Sequence, residues 1–61
     1  MESFFIEKFA TGYAVGRTIN GRNQYIKSIR RDGSIVWTIG FWDAKKMTKG
    51  TAAKHFENLK K

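Results

Sequence analysis

Arg17, Arg22, Lys27, Arg30 and Arg31 crowd into the middle of a 61-residue chain, with Tyr25 among them. Guanidinium forks and ammonium groups at such spacing neutralise phosphates, and arginine also reads guanine edges. The chain's acids and its one histidine offer less chemistry. Asp32 belongs to a turn, Asp43 suits a cap, and Glu57 faces lysines on a C-terminal helix. Glu2 and Glu7 stand apart near the N-terminus. His55 adjoins Phe56 and reads as a residue bordering the core. There is no Ser-His-Asp grouping, no His-x-x-x-His and no Gly-Lys-Ser/Thr phosphate loop. The expectation is therefore a non-enzymatic protein without metal or cofactor. With no cysteine and a lone histidine, the usual zinc-ligand sets cannot be assembled.

The charge balance points the same way. Twelve Lys and Arg against five Asp and Glu give +7. Residues 1–9 are net acidic, whereas residues 10–40 and 41–61 share the positive excess equally. Such a field attracts a polyanion: nucleic acid, an acidic protein surface or anionic lipid. Lysine and arginine also guard exposed strands against aggregation, so each cation has a solubility reading beside the functional one. The lysines at 45, 46, 49, 54, 60 and 61 read as a solvated face.

Positioning these side chains requires a sheet. Ser3–Phe9, Tyr13–Ile19, Gln24–Arg30 and Ser34–Phe41 read as strands, rich in aromatic and β-branched residues. Asn20-Gly21 and Asp32-Gly33 suit two-residue hairpin loops. These loops set Ile19 opposite Arg22, Arg17 opposite Gln24 and Val15 opposite Ile26. In the next hairpin they set Ile29 opposite Val36, Ser28 opposite Trp37, Lys27 opposite Thr38 and Ile26 opposite Ile39. One face then gathers Tyr13, Val15, Ile26, Ile35, Trp37, Ile39 and Phe41. The other holds Tyr25, Lys27, Ile29 and Val36. Asp43 can cap a short turn over Ala44–Met47, Gly50 breaks it, and Thr51 caps a helix whose stripe is Ala52, Ala53, Phe56 and Leu59.

The expected fold is α+β: one domain over residues 1–61, an antiparallel three- or four-stranded β-meander with one C-terminal helix packed on one face. Phe4, Phe5 and Phe9 cannot all share a face of a straight strand, so some wrap an edge, bury through a bulge or form a contact patch. Trp42 reads as a lid over the helix or, if exposed, as a partner anchor. No apolar run approaches the roughly 20 residues of a membrane span. The acidic N-terminus is unlike a signal peptide. The absence of cysteine favours a cytoplasmic location, and no membrane partner is expected.

The run YIKSIRRDGSIVWTIGFWDAKK…AAKHF resembles the three-stranded-sheet-plus-helix DNA-binding domain of plant ethylene-response factors and the arm-binding domains of tyrosine integrases. Ile29-Arg30, Gly33, Val36-Trp37, Gly40-Phe41 and Ala52-Ala53 carry the likeness, which spans about Tyr25 to Leu59. The resemblance implies a sheet laid in the major groove of duplex DNA, with Tyr25, Lys27, Arg30 and Arg31 touching bases and phosphates. The chain is also similar to small phage and prophage proteins built as a β-meander ending in a helix. Two function classes follow. One is nucleic-acid binding by Arg17, Arg22, Tyr25, Lys27, Arg30 and Arg31. The other is inhibition or modulation of an acidic host protein through Phe4, Phe5, Phe9 or Trp42. A homodimer formed along the first strand's edge is compatible with both.

Overall fold

Two turns of similar sequence close two hairpins in different ways. The computed structural model describes residues 2–60. Its strands are β1 (Glu2–Phe9), β2 (Gly12–Ile19), β3 (Arg22–Ile29) and β4 (Ile35–Thr38). A 3-10 turn at Phe41–Asp43 and helix α1 (Lys49–Lys60) follow. The four strands form one antiparallel sheet in the order β1-β2-β3-β4, and α1 packs on one face, giving the expected α+β meander with its C-terminal helix.

At the β2–β3 turn, Asn20 and Gly21 both take positive φ, 52° and 78°. That is the type I′ geometry of a two-residue loop. Ile19 accordingly faces Arg22 and Arg17 faces Gln24, as the sequence predicts.

The β3–β4 turn departs from expectation. Only Gly33 has positive φ there, 91°. Asp32 instead turns its carboxylate to Ser34, accepting from the backbone N–H at 2.9 Å and from the hydroxyl at 2.7 Å. The loop becomes three residues long: Gly33 N–H donates to Arg30 O, and Arg30 N–H donates to Ser34 O. An Asx interaction has displaced the I′ turn. The register shifts by one, so Ile29 faces Ile35 and Ser28 faces Val36. A bulge at Lys27 then shifts it again, pairing Ile26 with Trp37 and Tyr25 with Thr38.

The bulge redistributes the faces. Ile29 joins Ile26 on the helix side rather than standing with Tyr25. Two residues separate those isoleucines where strict alternation allows one, so Lys27 and Ser28 both project away from the helix. Ile39 and Phe41, expected in the core, lie beyond the end of β4 and are exposed.

The helix-side core is centred on Val15, Ile26, Met47 and Ala52, with Trp37, Phe56 and Leu59 packed around them. Val15 and Ile26 are fully buried. Each contributes about 1.5–3 kcal/mol by leaving water. The predicted stripe of α1 holds except at Ala53, which is exposed. The helix starts earlier than expected. Thr48, not Thr51, is its cap: the Thr48 hydroxyl accepts from Thr51 N–H at 3.3 Å, and its carbonyl accepts from Ala52 N–H at 2.9 Å. Gly50 thus falls in the first turn instead of breaking the segment. Glu57 pairs with Lys60 at 3.6 Å. Lys61, another lysine of the expected solvated face, lies outside the described residues.

The meander is interrupted at one end. The β2–β3 ladder stops at Gly16–Tyr25, so Val15 and Ile26 share a core without pairing. Beyond that point residues 44–47 fill the gap. Lys45 N–H donates to Ile26 O at 2.8 Å, and Tyr13 exchanges hydrogen bonds with Met47 at 2.8 and 2.7 Å. Ala44 packs with Ala14 and Tyr25 on one side of the sheet, and Met47 with Val15 and Ile26 on the other. The chain therefore passes through the sheet between β2 and β3. Gly12 makes room for it: a Cβ there would lie 3.0 Å from Met47 O, at a φ of 148° that favours glycine.

Candidate nucleic-acid interface

The passage through the sheet leaves the face opposite α1 with its own, more open cluster. Ala14, Ala44 and Tyr25 are buried there beneath Phe5 and Phe9. Phe5 meets Tyr25 edge-on, with centroids 5.6 Å apart, and Phe9 meets it at 6.2 Å. Gly16 is the floor beneath Phe5, since a methyl group at Gly16 would collide with that ring. Phe9 in turn stacks on Phe41 with planes 7° apart, and Phe41 abuts Trp42 edge-on at 5.3 Å. A line of rings thus runs from the sheet to the 3-10 turn and becomes more exposed along its length. Phe5 and Phe9 are half-buried, Phe41 is exposed, and Trp42 is 72% exposed.

Trp42 owes its pose to Gly40. A Cβ on Gly40 would lie 2.7 Å from two carbons of the indole's six-membered ring, so the ring rests on the glycine backbone. Gly40 has φ −93°, which any residue adopts. Space for the indole, not backbone freedom, requires glycine at this position. Trp42 is therefore not the lid over the helix that the sequence suggests. It lies on the far side of the sheet, joined through Phe41 to Phe9.

The structure divides the predicted basic set. Arg17 stands on the helix side. Its Nε donates to Gln24 at 2.8 Å, its Nη1 pairs with Glu2 at 3.1 Å, and its guanidinium lies 4.1 Å from the Trp37 ring centroid. Tyr25 is buried, and its hydroxyl donates to Glu7 at 2.9 Å. Burial first, and then the Glu7 carboxylate, raise its phenol pKa above the ordinary value. Both side chains are committed within the fold. Arg22 is exposed at the β2–β3 turn, roughly 26 Å along β3 from Arg30 at about 3.3 Å per residue.

Lys27, Arg30 and Arg31 are exposed toward the opposite end of β3, at the bulge and the three-residue loop. The hydrogen bond from Lys45 to Ile26 brings an exposed lysine beside Lys27. Lys46 is nearby, its ammonium donating to the carbonyls of Phe41 and Ala44 at 3.1 Å and lying 4.8 Å from the Phe9 ring centroid. Among the described residues the ion pairs are Arg17–Glu2 and Lys60–Glu57, and Lys27, Arg30, Arg31 and Lys45 take part in neither. Lys27 and Lys45 thus stand where the chain crosses the sheet, and Arg30 and Arg31 stand at the loop beyond the end of β3, next to Asp32.

Sequence reasoning missed Phe41, Gly40, Lys45 and Lys46 as site residues. The available signal was the loss of both strand and helix period over residues 40–47, where two aromatics stand side by side. The partner-contact set also divides. Phe5 and Phe9 support the line of rings, while Phe4 is half-buried on the other face.

A groove of ≈ 330 Å³ on the helix side is lined by Ile29, Gly33, Ile35, His55, Asn58 and Leu59. His55 is its only titratable group, half-buried at the core's border as expected. No helix among the described residues is long and apolar enough to cross a membrane. Comparison with protein families, curated proteins and solved structures finds no match to this chain.

Proposed function

We propose that this chain is a small, non-catalytic nucleic-acid-binding protein acting inside the cell, with DNA as its expected target. Lys27, Arg30, Arg31 and Lys45 engage phosphates, and Trp42 and Phe41 offer ring surface to exposed base edges or unpaired bases. The observation that carries this proposal is that Lys27, Arg30, Arg31 and Lys45 are exposed and outside the ion pairs of the described residues, in a chain whose Trp42 indole is 72% exposed. Binding releases counterions from the nucleic acid, so affinity falls steeply with salt. Arg22 adds a contact only to a ligand that spans the length of β3.

Fluorescence anisotropy with labelled duplex and single-stranded oligonucleotides tests the proposal. Replacing Lys27, Arg30 and Arg31 together by alanine lowers affinity for every sequence and flattens the salt dependence by roughly three log units per log unit of salt. The fold survives, because all three side chains are exposed. Undiminished binding by this variant contradicts the assignment.

The exposed rings of Phe41 and Trp42, in edge-on contact, favour a second reading. In it, the chain is a phage-type protein that binds and inhibits or modulates an acidic host protein, with Trp42 as anchor and lysines at the rim. Capture of a host protein that persists after nuclease treatment and is lost with Trp42→Ala supports that reading over the first.

A further inference from the structure

The two edges of the sheet are finished differently. β4 has four residues and pairs with a bulged neighbour. β1 has eight, and it pairs with β2 without interruption from Glu2–Ile19 to Phe9–Gly12. It carries neither proline nor bulge, two of the usual protections of an exposed edge, and is guarded only by the charged Glu2, Glu7 and Lys8.

Alternation fixes which backbone groups of β1 face outward. Tyr13 spends both its N–H and its C=O on Met47, on the β3 side of β2. Successive residues of a strand turn these groups to opposite neighbours. Ala14, Gly16 and Thr18 therefore turn theirs to β1, opposite Glu7, Phe5 and Ser3. The type I′ turn independently gives the same phase, since Ile19 and Arg22 flank a two-residue loop. The N–H and C=O groups of Glu2, Phe4, Ile6 and Lys8 are left pointing out of the sheet. Among the described residues no other segment hydrogen-bonds to that edge.

We propose that a second copy of the chain occupies this edge, β1 against β1, antiparallel about a two-fold axis at Phe5. The axis must pass through a residue, because an axis between residues would set outward-facing groups against inward-facing ones. Centring on Phe5 places Glu2 opposite Lys8 of the second copy and Phe4 opposite its Ile6. Opposite charges then face each other, two apolar side chains meet, and all four residues belong to the outward-facing set. Centring on Ile6 would set Phe4 against Lys8, and centring on Phe4 would set Glu2 against Ile6. Ile6 is 38% exposed in the single chain and gains cover. The Glu2 carboxylate, already 3.1 Å from Arg17, comes to lie between two cations. The axis runs normal to the sheet, so both helices share one face of a continuous doubled sheet.

Each chain carries +7, and this repulsion opposes pairing until salt screens it. Pairing therefore strengthens with salt, the opposite of nucleic-acid binding. Sedimentation equilibrium of the full chain at low and high salt tests the proposal. The expected result is a mass of two chains, with the dimer favoured at high salt. Ile6→Pro removes an outward-facing N–H while sparing the β1–β2 ladder, and yields a monomer with unchanged circular dichroism. Should that variant not fold, Lys8→Glu decides the matter. It sets like charges opposite each other twice per dimer and weakens association about tenfold. A monomeric parent chain at both salts overturns the proposal. So does a dimer that no folded variant of this pair weakens.

Discussion

The two faces of the sheet solve different problems. The helix side buries Val15 and Ile26 under Ala52, Phe56 and Leu59, a largely closed apolar contact. The opposite side is covered by rings and ends in an exposed indole, with the Lys46 ammonium over the Phe9 ring. One face holds the fold together, and the other is stable enough to be left partly open. In a chain this small the open face can exist only because the closed one carries most of the stability.

Substitutions that separate the two faces test this division, and the largest effect belongs to the closed one. Ile26→Ala costs about 2–5 kcal/mol in urea unfolding, enough to leave much of the population unfolded. Gly16→Ala comes next. The added methyl meets the Phe5 ring and, at 2.8 Å, the Gln24 carbonyl, which cannot move without the strand. It costs about 1–3 kcal/mol as overpacking, read from the same unfolding curves.

Trp42→Ala inverts the pattern. Stability changes by less than about 0.5 kcal/mol, as at an exposed site, while binding to a single-stranded oligonucleotide weakens by about 1–3 kcal/mol. Gly40→Ala sharpens the distinction. It keeps the indole and an unstrained backbone but dislodges the ring, so the tryptophan emission shifts and part of the affinity is lost. If Gly40→Ala binds as tightly as the parent chain, the pose of Trp42 is irrelevant to binding.

The smallest effect concerns pH. The Tyr25 phenol is raised by burial and by Glu7, so the fold favours its neutral form. Its contribution is fully present below the unfolded value, near 10, and is lost as pH climbs through the raised native value. Melting temperatures of the parent chain therefore fall more steeply above pH 10 than those of Tyr25→Phe. Parallel alkaline limbs would show that Tyr25 ionises as freely in the folded chain as in the unfolded one. Asp32 behaves oppositely. Its bonds with Ser34 lower its pKa, so its contribution holds above the ordinary carboxylate value and fades on acidification.

The two hairpins show how far the sequence could be read. Asn20-Gly21 behaved as its residue types require, because asparagine and glycine both tolerate positive φ. Asp32-Gly33 has nearly the same signature, but Ser34 follows it. That serine supplies two donors to the carboxylate, and the competing turn wins. The one-residue shift then reached Ile29 and, through the bulge, Lys27. The four strands and the helix were legible because their patterns are local. The passage through the sheet was not: it rests on contacts of Ile26 with Lys45 and of Tyr13 with Met47, far apart in sequence and without periodicity. For the same reason Arg17 and Tyr25 looked available when both were engaged, and Lys45 looked like one lysine of a solvated series when its backbone is bonded to Ile26 beside Lys27.

The most direct test of the central claim is a salt titration of the parent chain against a labelled duplex, with a single strand in parallel. Four phosphates met by Lys27, Arg30, Arg31 and Lys45 give a duplex log–log slope of roughly −4, at about −0.9 per phosphate. A flat line, or no binding at low salt, would mean that these cations serve solubility alone.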